Sequence, residues 1–314
     1  MRIGFLTACL WRVPFAELVP WAAEQGFQAL EISCRPLPPG SNFEGAAINL
    51  NDFDERKAAA LKELCEAHDI EISCLTYTPN TLAADPEERA ANLTGVRKAI
   101  DAAALLGVGN VSSFIGRDPT KNLADNIEEA ARVFPPLVEY AAQRGVKLAI
   151  ENCPMPDWQV EGLAGNIAYS PAVWDELFDR IGGENLGLNL DPSHLFWLGI
   201  DYLQVVKDYA ERIFHVHAKD TEIMPQRLAR VGNIVSSHGV WWRYRIPGLG
   251  EINWSRFISL LIEHGYDYVL SIEHEDPVWS SPGMWRAAPG EPFDDTRIRE
   301  GLQLGYRHLS QFVI

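Results

Sequence analysis

Four predicted strands in succession end on a side chain that can ligate a metal ion: "KLAIE" on Glu151, "LGLNLD" on Asp191, "IFHVH" on His217 and "VLSIE" on Glu273. Strand side chains alternate between faces, so the last inward residue of each strand converges on a common axis if the strands close into a barrel. Three carboxylates and one imidazole make an oxygen-rich set. It suits a hard or borderline divalent ion, Mn2+ or Mg2+ first, Co2+ or Zn2+ second. Taken singly, each residue says little; a strand-end aspartate such as Asp191 is as readily the N-cap of the next helix. Four in succession are hard to explain without a cation, because unpaired carboxylates crowded at one point repel and lose hydration.

The elements that must carry these groups are legible as an alternation. Short β-branched or apolar runs predict eight strands: Arg2–Thr7, Ala29–Ser33, Glu71–Thr76, Asn110–Phe114, Lys147–Glu151, Leu186–Asp191, Ile213–His217 and Tyr268–Glu273. Amphipathic stretches such as "DERKAAALKELCEAH", "NLADNIEEAARVFPPLVEYAAQRG" and "NWSRFISLLIEHG" lie between them, and a last helix is predicted around Asp295–Ser310. Gly26, Gly107, Gly145 and Gly265 each stand just before a strand, where a residue tolerant of positive φ ends a helix. Strands that each lead into a helix predict an α/β fold, a single (β/α)8 TIM barrel, as one domain over residues 1–314. A doubly wound sheet is the rival, but no strand–GxGxxG–helix unit with a later acidic residue occurs.

Three strand-to-helix connections are long: Cys34–Asp52, Lys219–Glu251 and His274–Asp294. In a barrel all such loops gather at the C-terminal face, and long loops inside a compact domain are usually functional. Seven of the ten tryptophans fall on strand-to-helix connections, long or short: Trp11, Trp158, Trp197, Trp241, Trp242, Trp279 and Trp285. Flat apolar rings at a barrel mouth stack on sugar rings, pack on another subunit, or simply pack the loops on each other.

Bulk composition excludes several classes. Apolar residues make up 47% of the chain and charged ones 22%, which fits a globular protein with a sizeable core. No apolar run approaches the ~18–20 residues of a membrane helix, and "MRIGFLTACLW" reads as a first buried strand rather than a signal peptide. Five scattered cysteines without a CxxC fit reduced thiols, so the expected compartment is the cytoplasm. A formal charge of −16 argues against a nucleic-acid partner.

The segments "FQALEIS", "LAIENCP", "LNLDPSH", "HVHAKD", "IPGLGEINW" and "LSIEHED" together resemble the sugar phosphate isomerase/epimerase family, the xylose-isomerase-like TIM barrels that include ketose 3-epimerases and inositol-pathway enzymes. The resemblance runs over essentially the whole chain. It implies that Glu151, Asp191, His217 and Glu273 ligate one divalent ion, Mn2+ foremost, and that His194 binds a substrate oxygen. The expected chemistry is proton abstraction α to the carbonyl of a keto-sugar, through an enediolate that the ion stabilises. Glu151 and Glu273 arrive from different strands. One takes the proton and the other returns it to the opposite face, which is epimerisation; transfer between neighbouring carbons is isomerisation.

Further residues carry open alternatives. Glu31 ends the second strand inward, where it is expected to contact substrate. Lys219 and Asp220 either serve the ligand strand and substrate or form a surface pair. Asp157 and Trp158 follow Glu151 closely enough to reach a substrate hydroxyl. His215 shares a face with His217 and is expected one layer deeper, as a core or supporting residue. The simplest ketose epimerases carry an arginine six residues after the ligand histidine; here that position is Ile223, with Arg227, Arg230, Arg243 and Arg245 as possible substitutes. The long aromatic loop also resembles relatives that cleave 3-keto-glycosides by elimination, in some cases with a small partner subunit. Such cleavage is therefore the alternative, together with inosose dehydration and with a homo-oligomer in place of that partner. An abasic-site nuclease on the same barrel needs three zinc ions and many more histidines than the eight present.

Overall fold

The computed structural model describes residues 1–38, 45–155, 162–236, 238–281, 284 and 293–313. In chain order the strands are β1 (Arg2–Leu6), β2 (Ala29–Arg35), β3 (Ala47–Asn49), β4 (Glu71–Thr76), β5 (Asn110–Ser113), β6 (Lys147–Glu151), β7 (Leu186–Leu190), β8 (Ile213–Ala218), β9 (Asp220–Ile223), β10 (Trp242–Arg245) and β11 (Val269–Ile272). Among the described residues, eight of them form a closed parallel ring in the order β1, β11, β8, β7, β6, β5, β4, β2, with β3 added outside on β2. Pairing of Gly4 with Ala29 closes the ring. A Cβ at Gly4 would collide with the Ala29 carbonyl oxygen, so the seam needs a glycine. The predicted strand bounds hold within two residues, and β4 and β6 match residue for residue.

The ring strands are buried on both faces, and none shows the alternation of a half-exposed sheet: β7 is buried at all five positions and β2 at six of seven. Helices cover the outside. Asp54, Asp85, Asn122 and Asn253 cap the helices Glu55–Glu66, Pro86–Leu106, Leu123–Val133 and Trp254–Glu263 through side chains that accept from backbone amides. Gly26, Gly107, Gly145 and Gly265 all take positive φ at helix ends, as the spacing predicts. The segment expected as one helix around Phe134 is two, Leu123–Val133 and Pro135–Ala142, because two consecutive prolines cannot donate into the first helix. No helix among the described residues is long and apolar enough to cross a membrane.

The connection after β8 departs most from expectation. It is not an open loop but an antiparallel hairpin, β9 with β10, which carries the helix Pro225–Val231 between its strands. Trp197, Trp241 and Trp242 form a separate small core under this hairpin, 3–6% exposed. Trp197 and Trp242 stack at 3.6 Å with planes 7° apart. These three rings therefore serve packing and are unavailable to a ligand at the mouth. A hairpin that rises off the barrel cannot reach the main core and must bury its own apolar face.

Candidate active site at the barrel mouth

Glu151, Asp191, His217 and Glu273 converge at the C-terminal ends of β6, β7, β8 and β11. All four are buried, and each offers one ligand atom, all of these within 4.8 Å of one another. Asp191 also caps the helix Pro192–Leu198 through Oδ1, which accepts from the Ser193 amide. The two roles weighed for it are thus compatible, since Oδ2 is the oxygen left over. Asp191 Oδ2 and His217 Nδ1 are buried yet lack a hydrogen bond of acceptable geometry among the described residues. These two orphaned atoms, with the Glu151 and Glu273 carboxylates around the same point, fit a divalent cation.

One layer deeper lies a network of polar groups inside the ring. Both carboxylate oxygens of Glu31 stand 3.0 Å from His217 Nε2. Glu31 also accepts from Thr76 Oγ1 and, at 2.6 Å, from Ser271 Oγ. Burial raises the Glu31 carboxyl, but the His217 and His215 imidazoles and the Ser271 hydroxyl outweigh it and hold the group down at about 2. The sequence points Glu31 at substrate; the structure places it beneath the cluster instead, as the partner of the far nitrogen of the His217 ring. His215 occupies the same deep layer, bonded to Asn189 Oδ1 and Ser73 Oγ at 3.1 Å each, which is the supporting place expected from its spacing.

One layer higher, the side chain of Lys219 is buried at the mouth. Its Nζ lies 2.6 Å from Glu273 Oε2, 2.9 Å from Glu275 Oε2 and 3.1 Å from Asp191 Oδ2. Burial opposes the charged lysine, but the three carboxylates keep its pKa well above the ordinary value. Lys219 and His217 in turn hold Glu273 well below its ordinary value against the effect of burial. For Glu151 the same two cations are outweighed. Burial and the Glu273 charge push it up to about 7.

Lys219 and Asp220 are not a surface pair. Asp220 accepts from the backbone amides of Gly248 and Ile252 and from Trp254 Nε1, at 2.9–3.0 Å. This carboxylate organises the "GLGEINW" turn. Gly248 has φ +91, and a Cβ at Gly250 would strike the Asp220 carboxylate, so both glycines are dictated by the turn.

His194 sits on the first turn of the helix that Asp191 caps. Its Nδ1 is 3.0 Å from the Tyr244 hydroxyl, and its Nε2 is 3.2 Å from Asp191 Oδ2 and 3.6 Å from Glu151 Oε1. Burial first, and the Lys219 charge second, keep the ring neutral by lowering its pKa. With two carboxylates beside Nε2, the ring proton belongs there, and the phenol donates to Nδ1. Tyr244 reaches this position from β10, and its ring also lies 4.6 Å from Lys219 Nζ.

A cavity of about 370 Å³ opens over these groups; Ser33, Arg35, Glu151, Lys219, Glu273 and Glu275 are among its lining residues. Asp157 and Trp158 lie outside the described residues. Ile223, where the arginine of simple epimerases is missing, is part of β9, and Arg243 and Arg245 on β10 pair with Glu222, Arg245 also with Asp276. The sequence reading missed Tyr244, Glu275 and Arg35. The last two were within reach of period-two spacing, since Glu273 and Glu275 are two apart, as are Glu31, Ser33 and Arg35.

Comparison with known proteins agrees with this architecture. The protein YfiH of Bacillus subtilis strain 168 is 26% identical over 300 residues, which covers 88% of this chain and 93% of that one. Inosose isomerase of Halalkalibacterium halodurans is 33% identical over 141 residues, 45% of this chain and 44% of that one. The crystal structure of the IOLI protein with a bound zinc atom superposes over 99% of each chain with a TM-score of 0.68 at 20% identity, a likeness of fold. The family model described as xylose isomerase-like TIM barrel matches residues 19–303, and the chain belongs to that family.

Proposed function

We propose that the chain is a divalent-metal-dependent isomerase or epimerase of a keto-sugar, working by proton transfer at the carbon α to the carbonyl. The observation that carries this reading is the convergence of Glu151, Asp191, His217 and Glu273 within 4.8 Å at the mouth of the barrel. An ion held by these four would supply Lewis-acid charge for a developing enediolate. The three-carboxylate set favours Mn2+ or Mg2+, while the zinc of the similar IOLI protein keeps Zn2+ among the candidates. Similarity to an inosose isomerase adds cyclic polyol ketones to the substrate class.

The chain's own groups divide the work. β7 and β8 separate β6 from β11, so Glu151 and Glu273 approach a bound sugar from different walls. Glu273, held ionised by Lys219 and His217, takes the proton. Glu151, on the other wall, returns one to the sugar. His194 presents its Nε2 proton to a substrate oxygen and leaves Nδ1 to Tyr244. Return of the proton to the opposite face gives an epimer, and transfer to the neighbouring carbon gives an isomer.

The test is a panel of ketohexoses, inosose and 3-keto-glucosides, incubated with the Mn2+-loaded protein in D2O and read by NMR. Deuterium at the α carbon of one of them, absent with Glu273→Gln, supports the proposal. Release of an aglycone or of water instead would reassign the protein to elimination, since the same proton abstraction then expels a leaving group. An inert panel together with a metal-free protein that binds no divalent ion would refute both.

A further inference from the structure

Strand β2 presents inward residues at three depths. Glu31 lies under the ligand cluster, while Ser33 and Arg35 line the cavity above it. Arg35 is four residues beyond Glu31, or ~13 Å along an extended strand. It therefore stands at the rim of the cavity whose floor is formed by Glu151, Lys219 and Glu273.

Among the described residues, Arg35 differs from the other cations named above in having no carboxylate beside it. Lys219 shares three, and Arg243 and Arg245 on the hairpin have Glu222 and Asp276. Among the described residues no acid pairs with Arg35, and its Nε is buried without a hydrogen-bond partner. Its guanidinium carbon lies 4.5 Å from the centroid of the Trp11 ring. Trp11 is itself fixed, because its Nε1 donates to the Met284 carbonyl at 2.9 Å. Stacking occupies the face of the guanidinium and leaves its N–H edge, the edge that binds oxyanions. An unpaired cation half-withdrawn from water is costly unless something else satisfies it, and burial lowers its pKa accordingly.

We infer that Arg35 anchors an anionic end of the substrate, a phosphate or a carboxylate carried several carbons from the reacting carbonyl. The inference rests on the keto-sugar reading for the carbonyl end and on Arg35 for the charged end. It places the selective charge of the site on β2, far from the position after β8 where simple epimerases carry their arginine. Lys219 on the cavity floor is already shared by Asp191, Glu273 and Glu275, whereas Arg35 at the rim has no such carboxylate among the described residues.

The two ends are tested separately by measuring binding rather than turnover. Isothermal titration of the Mn2+-loaded protein with D-fructose, D-fructose 6-phosphate and D-galacturonate compares a neutral, a phosphorylated and a carboxylated probe. The wild type is expected to bind one anionic probe about tenfold or more tightly than D-fructose. Arg35→Gln should erase most of that preference, Arg35→Lys should keep part of it, and the metal content of both variants reports on folding. Which anionic probe wins identifies phosphate or carboxylate as the source. A wild type that binds no anionic probe, prefers the neutral one, or keeps its preference in Arg35→Gln overturns the inference. Should the preference appear and depend on Arg35 while no probe exchanges its α proton in D2O, the anchor stands and the keto-sugar chemistry is what fails.

Discussion

Glu31 on β2 and His217 on β8 meet across the interior of the ring, with both carboxylate oxygens 3.0 Å from Nε2, although β1 and β11 lie between their strands. A carboxylate at Nε2 keeps the ring proton there, which turns Nδ1 toward Glu273 at 3.0 Å and Glu151 at 3.7 Å. Glu31→Gln keeps the shape and removes the charge that fixes this orientation. The variant should bind Mn2+ about ten- to a hundredfold more weakly in a chelator competition. An unchanged affinity would mean that packing alone orients the ring.

The protons on the four groups make ion binding depend on pH in a definite sense. Ligation requires ionised Glu151 and a neutral His217 Nδ1. In the metal-free protein, Glu151 titrates at about 7, raised by burial and by Glu273. Burial pulls His217 down, but Glu31 and Glu273 carry it well above its ordinary value. Across pH 7 the proton on Glu151 no longer has to leave. Proton release per Mn2+ bound should therefore fall by about one between pH 6 and pH 8, and affinity should rise with pH across that range. Calorimetry in buffers of different ionisation enthalpy measures this directly. Release that grows with pH would contradict the assigned ligands.

The barrel and its metal-competent ends were legible because both follow from local pattern: period-two strands, glycine-stopped helices, and an acid or histidine closing each of four strands. The deep partner of His217 was not. Glu31 points inward from its predicted run, like a substrate contact, and only the closed ring shows that its level lies below the cluster. The hairpin was hidden for another reason. Its strands are four residues each and separated by a helix, so no run long enough to register as a strand appears. Tyr244 was lost with it. Asp157 and Trp158 lie outside the described residues.

Lys219 places a fixed positive charge among Asp191, Glu273 and Glu275, where it both supports the ionised Glu273 and opposes a dication nearby. Removing it should separate these effects. Lys219→Met is expected to bind Mn2+ about tenfold more tightly and to turn over about a hundredfold more slowly. Weaker ion binding with equal loss of turnover would instead assign Lys219 a purely structural part.

Tyr244 acts on His194 from a different element, and its contribution can be isolated. Tyr244→Phe keeps the ring over the Lys219 ammonium and deletes only the hydroxyl 3.0 Å from Nδ1. Without that donor the two ring tautomers become closer in energy. Turnover efficiency should fall about tenfold with ion content unchanged. The 15N shifts of the His194 imidazole, which distinguish a protonated Nε2 from a protonated Nδ1, should move toward a mixture. Unchanged shifts would show that the carboxylates beside Nε2 fix the tautomer by themselves.

The hairpin that delivers Tyr244 depends on a core separate from that of the barrel. Trp242 on β10 stacks on Trp197 of the helix Pro192–Leu198, the same helix that carries His194. Trp242→Ala removes one of the three rings of this small core, at a local cost of about 3–5 kcal/mol. Because the main core does not include these rings, the loss should appear as local opening rather than global unfolding. Hydrogen exchange should then accelerate in β9 and β10 while the ring strands stay protected, and turnover should drop at least as far as in Tyr244→Phe. Uniform loss of protection across the barrel would mean that the hairpin and the ring fold as one cooperative unit.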